Sequence, residues 1–164
     1  MLDLLPLLRW IEHSALGDAV RGAGVWSYGI INLVHILAVA TLFGSILIFD
    51  LRLLGWRRNT AIATVASLTV PLAIGAFCLA VLSGACLLAT NATDYAGNPF
   101  LIIKFTALAV ALLNLLLFTR TAAWKSVRSG NADTSRQTVL AAFGGVSLLS
   151  WLIVIGSGRM IGYW

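Results

Sequence analysis

Four long apolar stretches, separated by short polar segments, dominate the sequence. They run over about residues 25–49, 66–89, 99–118 and 138–161, and each is long enough to cross the hydrocarbon core of a bilayer as a helix. The apolar residues are continuous and do not alternate with polar ones, which favours helices over the strands of a membrane barrel. The pattern therefore predicts an all-α protein, an integral membrane four-helix bundle that forms a single transmembrane domain over residues 1–164.

A shorter amphipathic stretch precedes the first span, at about residues 2–16. Leu4, Leu5, Leu8 and Ile11 make one side apolar, and charged residues occupy the other. This stretch is too short to cross about 30 Å of hydrocarbon. It predicts a short N-terminal interfacial helix that lies on the membrane surface.

Composition agrees with a lipid environment, because 60% of the residues are hydrophobic and only 10% are charged. Soluble domains carry about a quarter charged residues. The lipid bilayer is therefore the first predicted partner. Small residues recur along the second and fourth spans, which favours close helix packing and a homo-oligomer.

The net charge of +5 sets the predicted topology. Lys and Arg follow the first and third spans and are missing after the second, so the positive-inside rule places these two basic segments in the cytoplasm and both termini outside. The basic residues are not interleaved with aromatic ones, so we predict no nucleic-acid partner. The basic residues of the two segments are Arg52, Arg57, Arg58, Arg120, Lys125, Arg128 and Arg136.

His35 is the first candidate for chemistry, because ionisable side chains inside a bilayer are costly and are usually functional. It lies about ten residues into the first span, and Tyr28 and Asn32 precede it on the same helix face. A neutral imidazole is a good axial ligand for haem iron when another group holds its second ring nitrogen. Tyr28 and Asn32 are candidates for that group. The alternative is a neutral histidine hydrogen-bonded within the bundle.

Three cations fall on the same predicted outer side as His35, namely Lys104, Arg159 and Arg21. Lys104 and Arg159 could simply reach the headgroups. One haem b would instead explain the buried histidine and the cations together, since its propionates carry negative charge. His13, the only other histidine, is then a candidate second metal ligand, with an exposed surface histidine as the alternative. Five-coordinate iron and Met160 as the second ligand are further alternatives.

Two short stretches resemble known haem-binding membrane proteins. The run from Val34-His35 to Phe43 is similar to the first-helix pattern of the four-helix protoporphyrinogen oxidase family and of copper-resistance D-type membrane proteins. The run from Asn98-Pro99 to Lys104 is similar to their Asn-Pro…Lys helix start.

Most of the chain also resembles an uncharacterised family of small four-helix bacterial inner-membrane proteins, through residues 43–55 and the pair Gly158-Arg159. These resemblances imply a bacterial inner (cytoplasmic) membrane with both termini periplasmic. In the oxidase family a helix histidine binds haem b and a helix lysine is required, roles that fall here on His35 and Lys104. The chain departs from that pattern at Phe43, where a tryptophan is expected, and in having only two histidines.

We interpret the chain as a membrane cytochrome of b type that passes electrons between a quinone or membrane partner and a periplasmic redox protein. Whether it is also an enzyme stays open, and three alternatives remain. They are a porphyrinogen oxidase-like enzyme, a copper-handling permease with few available ligands, and a cofactor-free structural or assembly subunit. Because Asp50 falls after the predicted first span, no carboxylate lies in a span, which argues against an ordinary proton-coupled transporter.

Overall fold

A computed structural model describes residues 5–128 and 137–164, and every regular element in these ranges is a helix. The predicted all-α class is confirmed. In chain order the elements are α1 (Leu5–Glu12), α2 (Ala15–Gly22), α3 (Val25–Leu53), α4 (Ile62–Thr90), the 3-10 helix η1 (Ala92–Tyr95), α5 (Pro99–Arg120), α6 (Ala122–Arg128), α7 (Gln137–Met160) and the 3-10 helix η2 (Ile161–Tyr163).

Four of these helices, α3, α4, α5 and α7, are long and apolar enough to cross a membrane. The longest two, α3 and α4, have 29 residues each. At about 1.5 Å per residue such a helix exceeds the roughly 30 Å of hydrocarbon in a bilayer. The chain therefore has the architecture of a multi-pass helical membrane protein.

Side-chain size is distributed as expected for helices that face lipid. The residues buried in the spans are mostly small, such as Ala38, Ala76, Ala80 and Ala107, whereas many leucines and isoleucines are exposed. Only 17–22% of the most apolar window of each span is buried inside the protein. Small residues let neighbouring backbones approach, and the large apolar side chains are left to contact lipid.

The end of α3 lies one turn beyond the predicted boundary at residue 49. Gly55 has a φ of 102°, in the left-handed region that favours glycine. Around it the Trp56 amide donates to the Leu51 carbonyl at 2.9 Å and the Gly55 amide donates to the Arg52 carbonyl at 3.1 Å. These two bonds form a Schellman motif, which ends a helix at its C′ glycine. As a result, α3 includes Asp50.

The N-terminal region differs from the prediction of one interfacial helix over residues 2–16. It contains two helices, α1 and α2, because Ser14 begins a second helix and accepts a hydrogen bond from the Gly17 amide at 3.3 Å. A further short helix, α6, lies within the polar segment predicted after the third span. Residues 2–4 and Arg136, which belong to these predictions, lie outside the described residues.

Contacts divide the chain into two compact units. The first unit comprises residues 1–42 and 74–99, and the second comprises residues 43–73 and 100–164.

The first unit is held by polar contacts between its short helices and the end of α4. The Arg21 guanidinium donates to the carbonyls of Ala89 and Thr90 at 3.2 and 3.0 Å. The Glu12 carboxylate accepts hydrogen bonds from the Thr93 amide and hydroxyl, both at 2.7 Å. These bonds fix α1 and α2 against α4 and η1.

The second unit is held mainly by apolar and aromatic packing. Phe118 packs against Phe49, Trp124 and Phe143, with ring centroids between 5.2 and 6.3 Å apart. The Gln137 side chain also donates to the carbonyl of Leu53 at 2.7 Å, next to the C-terminal end of α3. The buried residues of this core are Leu53, Ile62, Phe118, Ala123, Val127 and Leu140.

Candidate functional site

His35 lies half-buried on α3 and contacts α4 through a serine. Its Nδ1 is 3.0 Å from the Ser83 hydroxyl oxygen. Ser83 is buried and donates its own proton to the Leu79 carbonyl at 2.6 Å. Because a hydroxyl has one proton to donate, the Ser83 oxygen accepts from His35, which assigns the imidazole proton to Nδ1. The lone pair of the neutral ring is then on Nε2.

Gly84 allows the imidazole of His35 to lie directly against the backbone of α4. A Cβ at Gly84 would be 3.0 Å from Cε1 of His35 and 3.4 Å from Nδ1. Any side chain at this position would require the ring to shift by at least a few tenths of an ångström. Ser83 and Gly84 together therefore set the position of the His35 side chain.

Ser83 and Gly84 are partners of His35 that sequence reasoning did not identify, since it considered Tyr28 and Asn32 for this role. Tyr28 lies seven residues before His35, about 10 Å along the helix, and its hydroxyl is hydrogen-bonded to Tyr95. Burial raises the pKa of Tyr95, with smaller contributions from Tyr28 and Asp94. Asn32 is half-buried, three residues before His35. The signal for Ser83 and Gly84 was the row of small residues on α4.

Arg21 already has several hydrogen-bond acceptors. Besides the two carbonyls at the end of α4, its guanidinium contacts the Glu12 carbonyl at 2.7 Å and the Asp18 carboxylate at 2.6 Å. It therefore closes the C-terminal end of α4, where carbonyl groups lack partners within the helix. This structural role accounts for Arg21 without any cofactor, and its predicted role as a propionate counter-ion stays a prediction.

An open cleft of about 380 Å³ lies in the first unit between the end of α4 and the start of α3. Arg21 and Tyr28, two of the sequence-predicted site residues, meet in its wall. The residues that line the cleft are Val20, Arg21, Gly24, Ser27, Tyr28, Thr90 and Asn91.

His13 is exposed in the turn between α1 and α2. The neighbouring Glu12 has a pKa below its usual range, chiefly because it accepts the two hydrogen bonds from Thr93. The structure thus gives His13 the surroundings of a surface histidine, and a role as second axial ligand stays a prediction.

Lys104 and Arg159 belong to the second unit. Lys104 is half-buried on α5, and a Cβ at Gly158 would lie 3.8 Å from its Nζ. No hydrogen bond or ion pair to Lys104 occurs within residues 5–128 and 137–164. Arg159 is exposed, and its guanidinium stacks 4.7 Å from the centre of the Tyr163 ring and donates to the Tyr163 hydroxyl. Of these two cations, only Arg159 has its charge engaged by a neighbouring side chain.

Asp50 corrects an expectation of the sequence analysis, because it is a carboxylate inside a spanning helix. It is 3% exposed, and its Oδ2 has no hydrogen-bond partner in the described part of the chain. The Nη1 atom of Arg52 is also buried without a partner there. The predicted boundary at residue 49, which left Asp50 outside the first candidate span, is therefore wrong. Gly55 was the signal that could have placed Asp50 in the helix.

No three His, Cys, Asp or Glu side chains of the described residues come together as metal ligands. A haem iron takes only one or two protein ligands, so this finding does not bear on haem.

Comparison with known proteins finds no matching family model, no matching curated protein and no matching solved structure.

Proposed function

We propose that this protein is a haem b-binding membrane cytochrome and that His35 is an axial ligand of the iron. The observation that carries the proposal is the bond from His35 to Ser83, whose hydroxyl is itself held by the Leu79 carbonyl. Haem-ligating histidines use one ring nitrogen for the metal and have the other held by a neighbouring group. The neutral tautomer assigned to His35 has this form.

The residues around His35 fit such a ligand. The imidazole is hydrogen-bonded to Ser83 and lies against α4 at Gly84, so little ordering of the side chain remains to be done on binding. The Nδ1–H···O bond also raises the basicity of Nε2, which strengthens it as a ligand. Bound haem b supplies one-electron chemistry, and the chain's own contribution is ligand identity, burial and electric field.

Lys104 is the cation that best suits a negatively charged group. It is half-buried and lacks an anionic partner in the described residues, whereas Arg21 and Arg159 both have neighbours that engage their charge. The role of Lys104 as a counter-ion to a propionate stays a prediction. The electron partners that we propose are a quinone or other membrane donor and a periplasmic redox protein, with the chain in a bacterial inner membrane.

The test is an absorption spectrum of the full chain, purified in detergent after expression with ample haem, oxidised and then reduced with dithionite. We expect a Soret band and sharp α and β bands in the reduced wild type, and loss of these bands in His35→Ala. Ser83→Ala removes the hydrogen bond to Nδ1, so it should retain haem but with a shifted reduction potential, whereas the exposed Ser67→Ala on the same helix should match the wild type.

His13→Ala distinguishes one histidine ligand from two, because loss of a second ligand changes the spectrum from six-coordinate to five-coordinate haem. A wild-type protein without visible absorption would contradict the proposal. So would a His35→Ala variant that is folded by circular dichroism and retains the wild-type spectrum.

A further inference from the structure

The second unit contains a buried acid that the haem proposal does not use. Asp50 lies in the last turn of α3, inside the candidate membrane span Trp26–Leu53, and is 3% exposed. Its carboxyl is hydrogen-bonded by the Ser147 side chain of α7, while Oδ2 has no partner in the described residues. The carboxyl group therefore has one hydrogen-bond partner, and its Oδ2 atom has none in the described residues.

Two other polar side chains of the second unit already have hydrogen-bond partners. Asn114 of α5 donates to the Phe143 carbonyl at 3.0 Å, and Gln137 donates to the Leu53 carbonyl at 2.7 Å. The helices approach closely at this point, since a Cβ at Gly144 would lie 3.2 Å from the Asp50 carbonyl oxygen. Asp50 is therefore buried where α3 packs closely against α7.

No described cation neutralises Asp50. Arg52, two residues further along α3, directs Nε to the Thr60 carbonyl at 2.6 Å and Nη2 to the Arg58 carbonyl at 3.2 Å. No Lys or Arg whose side chain the structure describes forms an ion pair with Asp50. The basic residues on the helices and turns of this unit are Arg52, Arg57, Arg58, Lys104, Arg120, Lys125, Arg128 and Arg159.

We infer that Asp50 is a proton-binding site, which holds a neutral carboxylic acid inside the membrane span with Ser147 orienting it. An unpaired carboxylate in such surroundings is strongly destabilised, and binding a proton removes the charge and gives the acid a donor. The ligand of this site is a proton, exchanged at the end of α3 that bears the basic turn. The inference is independent of haem, because it rests on the second unit alone.

Infrared spectroscopy of the full chain in lipid at neutral pH tests this inference. A protonated carboxylic acid has a C=O stretching band that is separate from the carboxylate bands and shifts in D₂O. We expect this band in the wild type, its loss in Asp50→Asn, and its retention in the matched variant Asp94→Asn, which changes an exposed aspartate. Ser147→Ala should shift the frequency of the band, because the hydrogen bond to the acid is removed.

A wild-type spectrum without this band at neutral pH, or a band that persists in folded Asp50→Asn, would overturn the inference. If Asp50→Asn does not fold, dicyclohexylcarbodiimide, a reagent for protonated carboxyls in apolar surroundings, replaces the variant. Peptide mapping of the wild type should then show an adduct on Asp50 that decreases as the pH is raised. An adduct only on other carboxyls would contradict the site.

Discussion

The two units of the molecule use polar residues in different ways. In the first unit, Arg21 and Glu12 direct their charges to backbone groups at the end of α4 and in η1, and His35 is held by Ser83. In the second unit, Asp50 and Arg52 each bury a polar atom without a partner in the described residues. Among the residues that the structure describes, buried side-chain polar atoms without a partner occur only in the second unit.

The difference separates two kinds of candidate site. A ligand that must hold a metal benefits from being fixed beforehand, as His35 is by its neighbours on α4. A group that gains and loses a proton needs an incomplete set of partners, since full satisfaction in one state disfavours the other. The pairing of polar groups thus distinguishes the proposed cofactor site from the proposed proton site.

Among the substitutions that test this comparison, Gly17→Ala should cause the largest loss of stability. Gly17 lies where α2 meets the end of α4. A Cβ there would lie 2.3 Å from the Glu12 carbonyl oxygen and 2.7 Å from that of Ala89. Both are backbone atoms, so the short helices must shift away from α4. We expect a loss of unfolding free energy at or above the upper end of the roughly 1–3 kcal/mol usual for overpacking.

The measurement is reversible unfolding of the full chain in mixed micelles, followed by circular dichroism. Gly22→Ala is the control, because a Cβ added at Gly22 of the same helix would meet nothing within 4 Å. Equal stability of the two variants would show that the polar contacts of α2 with α4 do not hold the first unit together.

Gly144→Ala tests the second unit and should have a smaller effect. A Cβ at Gly144 would lie 3.0 Å from the Leu53 Cβ and 3.2 Å from the Asp50 carbonyl oxygen. Overpacking is partly offset by a gain in helix propensity of about 1 kcal/mol, so we expect a net loss of about 1 kcal/mol. The neighbouring Gly145→Ala, whose nearest contact would be 3.9 Å away, should be neutral or slightly stabilising in the same assay. A stabilised Gly144→Ala variant would contradict close packing of α3 and α7.

Most of the fold could be predicted because it depends on the length and continuity of apolar runs along the sequence. Long apolar runs must be helical in lipid, and this alone identifies four helices and their order. The ends of the helices were harder to predict. Charged residues such as Asp50 and Arg52 end the apolar run, but α3 continues for another turn. The end of α3 is set by the positive φ of Gly55 and not by the first charged residue after the apolar run.

The candidate site was only partly predictable, for a related reason. His35 is recognisable from its position in a span, but its neighbours Ser83 and Gly84 come from another helix, and the pairing of helix faces is not visible in a single sequence. The sequence suggests that Arg21 is a cation available to a ligand. In the structure it donates to the carbonyls of Ala89 and Thr90, which are far away in the sequence. Residues that act through distant partners need the structure.

The smallest expected effect concerns Glu12 and is a pH dependence confined to the first unit. The two hydrogen bonds from Thr93 lower the pKa of Glu12 in the folded protein. A lowered pKa contributes stability that is present above the unfolded value and is lost as the pH falls through the folded one. The contribution should therefore be constant at neutral pH and disappear below the usual range for glutamate, about pH 4. The thermal stability of wild type and Glu12→Gln, compared from neutral to acidic pH, checks this. The two curves should converge in acid, and a constant separation would show that the Glu12–Thr93 contact does not depend on charge.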